Sequence, residues 1–454
     1  VNLEFIMAPK ESDSLLIQRQ EQQAPRTRSL KTNEHLSFED HHGHPPPTWN
    51  VKKVCWTAAV LLLAAAVAVG AILGLLQVHK NGYLRHHHYH SVANKTYVLK
   101  EAHHGRAFWN FYEFSDGPDS LGSAGYNTYV SRQRAEQLNI MSIEEDDDGV
   151  EYVVMKSALG TGPRDDHGNR FRESIRLEGK TRFDKGLIVL DVRHMPSGCG
   201  VWPAFWTTDE EKWPDHGEID IVEGINTQDV VKTALHTSDQ CSMYAHVPRW
   251  AWSGEWDTAT GIPDTFTGQL NYNVNVEADN CWVMAPHQWQ NQGCVAVSNE
   301  TGTIGSSMNE IGGGAYVLEW DPDNGYIKSW VFKNGQLSKN LIETMDSADQ
   351  SNGKKTDVVT PDPSSWGVPY AYFAIGEGSG CSADHFLNHH LVINLAFCGT
   401  VAGNRFQQDC PALYEQYNVH NDSVLTCNAY IDSNPEVLSE AYWKIRGVYL
   451  YQQE

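Results

Sequence analysis

Three carboxylates stand within six residues of HGEIDIVEGIN, residues 216–226: Glu218, Asp220 and Glu223. The residues between them are all Ile or Val, side chains that favour a strand. Alternate residues of a strand share a face, so Glu218 and Asp220 point together while Ile219 and Ile221 point to a core. Unbroken alternation would turn Glu223 inward, where an unpaired charge is costly. One extra residue at a β-bulge near Ile221 and Val222 returns Glu223 to the face of the other two acids. Glu218 and Glu223 then lie about four strand steps apart, roughly 13 Å between Cα atoms. Side chains that lean together bring their carboxyls to about 5–7 Å, a span that includes the spacing of a retaining glycosidase. There one acid attacks the anomeric carbon and the other protonates the leaving oxygen. Crowding by Asp220 and the ionised nucleophile should keep that second acid protonated until it is needed. The same pattern also suits a solvated strand or a Ca²⁺ site, so the spacing alone leaves the chemistry open.

Neighbouring residues narrow it. GCGVWPAFW (198–206) and KWPDHG (212–217) put Trp202, Trp206 and Trp213 immediately upstream of the acids. Aromatic faces stack on the apolar C–H surfaces of sugar rings. Each of these tryptophans also has core packing as an alternative, and for Trp202 the two readings weigh equally.

The stretch GVWPAFWTTDEEKWPDHGEIDIVEGIN resembles glycoside hydrolase family 16, and within it the fungal laminarinase-like endo-β-1,3(4)-glucanases. The resemblance continues through RESIRL, ALHTSDQC, MNEIGGGAYVLEW, SSWGVPYAYF, HFLNHHLVINLAFCG and NPEVLSEAYWKI, so it covers about residues 97–454. It implies a jelly-roll β-sandwich of the concanavalin A type with a substrate cleft across the concave sheet. By position it makes Glu218 the nucleophile, Glu223 the acid/base and Asp220 the carboxylate that tunes the nucleophile. It implies that Trp206 and Trp213 line the cleft, that Trp366 stacks on a further sugar, and that His236 stands beside the catalytic strand. Asn309 and glycines 312–314 resemble a cleft-lining loop. Arg172 and Arg176 are candidates for facing substrate, with surface ion pairing as the alternative. Where many fungal relatives read C-G-D-W-A-G, this chain has CGTVAG, with Thr400 and Val401 replacing the acid and the aromatic. That departure leaves the catalytic strand intact and bears on substrate preference. No cofactor is implied; a structural Ca²⁺ ion is not readable from these residues.

The resemblance supports an endo-glucanase that hydrolyses β-1,3 or mixed β-1,3/1,4 glucan with retention. A wall-glucan transglycosylase would use the same covalent intermediate, although chitin–glucan cross-linking relatives typically carry an unbulged E-x-D-x-E. A glucan-binding surface protein without turnover would have no need of three carboxylates.

The elements that must position these residues are legible as texture. GLIVLDVRHM, AYVLEWD, YIKSWVFKNG and HHLVINLAFC are β-rich runs. Asn324-Gly325 and Asn334-Gly335 bracket one of them as hairpin signals. Long helical patterns are almost absent; SNPEVLSEAYWKI predicts one short helix, with Ser433 or Asn434 as its cap and Pro435 in its first turn. The expectation is an all-β, antiparallel sandwich with no second domain and no internal repeat.

Outside that domain, residues 54–78 form an uncharged apolar run long enough to span a bilayer. Residues 1–53 read as a polar, disordered cytosolic tail and 79–96 as a stalk. RHHHYH (85–90) belongs to that solvated stalk, since no Cys or carboxylate completes a metal site there. Within the tail, ESDSLL, from Glu11 to Leu16, resembles an acidic dileucine signal for a sorting adaptor. Eight of the nine cysteines follow the apolar run, an even number that suits up to four disulfides outside the cytosol, with the pairing open. Cys55, at the membrane edge, is an inert thiol or a palmitoylation site. Sequons at Asn94, Asn299 and Asn421 lie on the same side. The expectation is a single-pass type II membrane protein with its large domain at the cell surface or in the secretory pathway. A formal charge of −23 argues against a nucleic-acid partner and is compatible with a neutral polysaccharide.

Overall fold

Val- and Ile-rich runs become strands because their branched side chains pack on a half-buried pleated surface. The computed structural model describes residues 96–119, 123–158, 162, 170–244, 246–259, 262–263, 270–271, 276–351 and 358–454. The expected tail, apolar span, Cys55, the 85–90 histidines and the Asn94 sequon lie outside the described residues. Among the described residues, no helix is long and apolar enough to cross a membrane.

Sixteen strands form the two main sheets. In chain order they are β1 (Tyr97–His104), β2 (Tyr112–Phe114), β3 (Met141–Glu145), β4 (Glu151–Lys156), β5 (Arg176–Gly179), β6 (Gly186–His194), β7 (Val201–Thr208) and β8 (Glu218–Glu223). They continue as β9 (Lys232–His236), β10 (Glu255–Trp256), β11 (Cys294–Val297), β12 (Gly314–Asp321), β13 (Tyr326–Lys333), β14 (Ala371–Ala374), β15 (His390–Phe397) and β16 (Tyr442–Gln453). One sheet runs β14-β13-β12-β6-β16-β4-β3, with β1 also on β16; the other runs β10-β11-β9-β8-β7-β15-β5-β2. Every pairing within these two sheets is antiparallel.

The main core lies between the sheets. Phe205, Ile219, Ile221 and Val222 meet Ile188, Leu190, Leu318, Trp443 and Ile445 there. Full burial of each such aliphatic side chain is worth roughly 1.5–3 kcal/mol. A second apolar layer covers the outer face of the first sheet. There Leu341, Met345 and Ala348 of the helix Lys339–Gln350 pack with Val189, Val317, Trp330 and Tyr449. Ser338 caps that helix by accepting from Leu341 N, and Arg446 ties it down through Asp346 and Asp349. At one end of the second sheet, the helices Pro411–Tyr417 and Ser423–Ser433 are fastened by disulfides Cys199–Cys410 and Cys398–Cys427. Cys241–Cys381 and Cys281–Cys294 complete four bridges, so all eight C-terminal cysteines are paired.

Several local expectations change. The expected helix in SNPEVLSEAYWKI shrinks to one turn, Pro435–Leu438, and Tyr442 already belongs to β16. Asn434 does not cap that turn; its side chain accepts from Tyr417 and donates to the Tyr430 carbonyl. Asn324-Gly325 does close a hairpin, but through four residues, because Asp321 pairs with Tyr326. Asn334-Gly335 ends β13 and leads to the helix Lys339–Gln350 without closing a hairpin.

Candidate active site

The bulge is in β8. Asp220 pairs with Trp206 and Glu223 with Ala204 on β7, and the register shifts between them. It shifts over the same interval against β9, where Asp220 pairs with Ala234 and Glu223 with Lys232. Both Ile221 and Val222 are buried in the core. Two consecutive inward side chains are the geometric mark of the extra residue. Glu218, Asp220 and Glu223 therefore share the outer face of the second sheet.

Register identifies the rest of that face. On β7 it carries Trp202, Ala204, Trp206 and Thr208; on β9, Lys232, Ala234 and His236; on β15, His390, Val392, Asn394 and Ala396. Arg176 on β5 faces Asn394. The polar groups interlock. His236 Nε2 is 2.9 Å from Asp220 Oδ2. Trp202 Nε1 donates to Glu223 Oε1 at 2.8 Å, and Trp206 Nε1 donates to Asn394 Oδ1 at 2.7 Å. The Arg176 guanidinium lies over the Trp206 ring, 5.0 Å from its centre, and bonds Glu178 Oε1 at 3.0 Å.

Electrostatics follow from packing three acids on one partly dry surface. Burial pushes the Glu218 carboxyl up, and the adjacent Asp220 carboxylate adds to the rise, while His236 and Arg176 oppose it. Burial and Asp220 likewise push Glu223 up, against the Trp202 hydrogen bond, His236 and Lys232. His236 moves up to about 9: burial disfavours its charge, but the Asp220 hydrogen bond and the three carboxylates outweigh burial. The two glutamates are thus biased towards their neutral form beside a histidine biased towards its charged form, a setting suited to one ionised and one protonated carboxyl. Glu218, Asp220 and His236 place one donor atom each within 4.8 Å of one another, a spacing that also admits a divalent cation.

Of the residues singled out by sequence, Glu218, Asp220, Glu223, His236, Trp206 and Arg176 come together. Trp213 lies in the loop between β7 and β8, 40 % exposed at the Glu218 end. Three others do not join that face. Trp366 is buried in the layer under the helix Lys339–Gln350, edge-on to Trp330, because the chain returns there along the outer face of the opposite sheet. Arg172 is buried, and its guanidinium donates to the carbonyls of Ala158 and Ile431. Asn309 is committed to the Met195 backbone, accepting from its N–H and donating to its carbonyl at 2.9 Å each. The nearby glycines serve packing: a Cβ at Gly313 would stand 1.9 Å from the Val192 carbonyl oxygen. Asn299 and Asn421 are exposed. Sequence reasoning missed Asn394, although its place in the alternation of HHLVINLAFC was available. It left Trp202 undecided, and no local pattern marked Lys232.

A family profile described as XgeA-like, catalytic GH16 domain matches residues 109–451. A probable endo-1,3(4)-beta-glucanase of Aspergillus fumigatus is 33 % identical over 364 residues, covering 79 % of this chain and 46 % of the relative. Endo-1,3(4)-beta-glucanase xgeA of Emericella nidulans is 31 % identical over 365 residues, covering 79 % and 48 %. The chain thus spans about half the length of these curated relatives. Among solved structures, Laminarinase 16A of Phanerochaete chrysosporium, with 6-O-glucosyl-laminaritriose in both donor and acceptor sites, is similar at TM-score 0.61 and 29 % identity. An elongating GH family 16 beta-1,3-glucosyltransferase is similar at TM-score 0.60 and 30 % identity. Each match covers 79 % of this chain and all of the solved one.

Proposed function

The chain belongs to glycoside hydrolase family 16, and we propose that it is a retaining endo-β-glucanase acting on β-1,3 or mixed β-1,3/1,4 glucans. The observation that carries this reading is the bulged strand, which sets Glu218, Asp220 and Glu223 on one face beside Trp202 and Trp206. Relatives named endo-1,3(4)-beta-glucanase support the substrate class. In the proposed reaction Glu218 attacks the anomeric carbon as Glu223 gives its proton to the glycosidic oxygen, and the leaving chain departs with a new hydroxyl. Glu223, now ionised, takes a proton from water. That water attacks the same carbon and frees Glu218, so the β configuration is kept. Asp220, bridged to His236, orients the nucleophile. Trp206 and Trp213 offer stacking faces, and Arg176 fixes the Trp206 ring.

The same intermediate passes to a sugar hydroxyl if water is held off. The near-equal similarity to a glucosyltransferase and to a laminarinase favours keeping this transglycosylase reading as the second one. The apolar run at 54–78 supports a type II anchor that holds the domain at the cell surface or in the secretory pathway.

The test is time-resolved proton NMR of the domain, secreted from about residue 96 onward, with laminarin and separately with lichenan. New β-anomeric reducing ends are expected, and the substrate that yields them assigns the linkage. α-Anomers as first product would refute retention, and products longer than the starting oligosaccharides would establish transfer. Glu218→Gln and Glu223→Gln should each fold and lose turnover by orders of magnitude.

A further inference from the structure

Lys232 stands directly across from Glu223 in the β8–β9 register and therefore on the same face. The side chains of such a cross-strand pair start about 5 Å apart at Cβ, so the ammonium is within reach of the carboxyl. It is held elsewhere: Lys232 Nζ lies 2.7 Å from Asp257 Oδ2. The same row continues through Val297 on β11 to Glu255 on β10, with Asp257 two residues further on. The Asp257 backbone is fixed on both sides, its N–H donating to the Val295 carbonyl and its own carbonyl accepting from Ala278. A carboxylate on a backbone held at both ends thus takes up the ammonium that stands across from the proposed acid/base. Lys232 and Asp257 are 33 % and 27 % exposed, so solvent weakens the pair without abolishing its field.

We propose that Lys232 and Asp257 act as a positioning pair for Glu223: Asp257 holds the Lys232 ammonium off the carboxyl, which lets Glu223 keep the proton it must deliver. This rests on the acid/base reading of Glu223. An unrestrained ammonium on that rung would stabilise the ionised form and remove the general acid. Without any cation there, the carboxyl would hold its proton too long and serve poorly as the base of the second step. The engaged ammonium, partly neutralised, lies between these limits.

The other charges around Glu223 are accounted for among the described residues. Glu218 and Asp220 come from its own strand, His236 from β9, Glu255 from β10, His390 from β15 with its partner Glu210, and Arg176 and Glu178 from β5. β7 presents only Trp202, Ala204, Trp206 and Thr208. In the chain that follows Glu223, Asn226 engages Asp409, which is itself paired with Arg405. The Lys232–Asp257 pair can therefore be altered without touching those contacts.

The experiment is the pH profile of kcat/KM on laminarin for the full chain and for Asp257→Asn, Lys232→Gln and the double variant, at low and high salt. Asp257→Asn should move the alkaline limb to lower pH by about half a pH unit, a roughly threefold loss at a fixed pH on the limb. Lys232→Gln, which leaves the Asp257 carboxylate uncompensated, should move it up by a similar amount, and the double variant, with neither charge, should fall between Lys232→Gln and the parent. High salt should shrink each displacement. A pair that only fastens the chain near residue 257 would lower the melting temperature and reduce activity equally at every pH, leaving the limb in place; that result overturns the proposal. Lys232→Arg keeps the charge and should keep the limb, and a displaced limb there would also count against it. Glu223→Gln measured alongside separates the two ideas. If it retains glucan turnover, the acid/base reading fails; if it is inactive while the single variants leave the limb unmoved, only the pair proposal fails.

Discussion

Trp202→Phe isolates one hydrogen bond to Glu223. The indole ring packs with Ala396 and Ala402, and with Ile225 and Val401 at its edge, so a phenyl ring keeps most of that contact. What is removed is the Nε1–H donor to Glu223 Oε1. A hydrogen bond to a charged group is worth about 1.5 kcal/mol at the low end of its range. One pH unit corresponds to about 1.4 kcal/mol. Loss of the donor should thus let the Glu223 carboxyl hold its proton about one pH unit further up, since the bond favours the ionised form. kcat/KM reports the free enzyme, so its alkaline limb on laminarin should move to higher pH by about that amount. Turnover at the acid side should fall, because the carboxylate becomes available as base only at higher pH. Thermal unfolding should change little, by about 1 kcal/mol for a modest large-to-small change. A limb that stays in place while the melting temperature drops would refute the argument and reduce Trp202 to packing.

Other perturbations read different parts of the structure. Trp366→Ala should destabilise the domain by about 3–5 kcal/mol, as expected for a large buried aromatic, and leave KM for laminarin unchanged in the folded protein; calorimetry and kinetics check both, and a raised KM at unchanged stability would return it to the cleft. Glu218→Gln should raise the melting temperature increasingly as pH climbs above the ordinary carboxylate range. The folded-state carboxyl is pushed up, so its contribution is intact below the unfolded pKa and is lost as pH rises through the folded one; a difference that does not grow with pH would oppose this. Glu218→Ala should recover turnover with azide and release an α-glycosyl azide, detected by NMR; recovery with a β product would contradict Glu218 as nucleophile. Replacing Cys199 and Cys410 together opens a crosslink between residues 211 apart. It should cost up to about 5 kcal/mol, measured by denaturant unfolding, and a stability unchanged within error would show that the tie adds nothing.

The acid-bearing strand was readable because its logic is local. Alternation, the odd gap and the cost of an inward carboxylate suffice to require a bulge at Ile221 and Val222, and both residues are buried. Trp366 and Arg172 were misplaced because type and neighbours do not tell which sheet a segment crosses. SSWGVP returns along the outer face of the first sheet, where the helix Lys339–Gln350 covers it. That helix escaped notice because only Leu341, Thr344, Met345 and Ala348 of its twelve residues are buried, a thin apolar stripe in a polar sequence. The predicted helix around 433–445 failed for the opposite reason. Good capping residues mark a start, but the AYWKI run is claimed by pairing of β16 with β4 and β6, whose long-range contacts override the local signal.

Long-range contacts also connect the CGTVAG departure to the acid-bearing strand. Val401 follows the Cys398 disulfide and packs, with Ala402 and Ile225, against Trp202. Asn226 sits between, donating to the Ala402 carbonyl and to Asp409 while its Oδ1 accepts from Gly200 N at the entry to β7. Val401 and Ala402 thus back the Trp202 ring, whose indole N–H donates to the Glu223 carboxyl. A Val at 401 supports that ring from one side and adds no aromatic face of its own. If this backing governs Trp202, Val401→Ala should lower kcat and broaden the alkaline limb of turnover, while Val401→Trp should alter product length and leave the limb in place. If both variants instead change only KM, by similar factors and with unchanged pH profiles, Val401 contacts the glucan directly and the coupling through Trp202 is wrong.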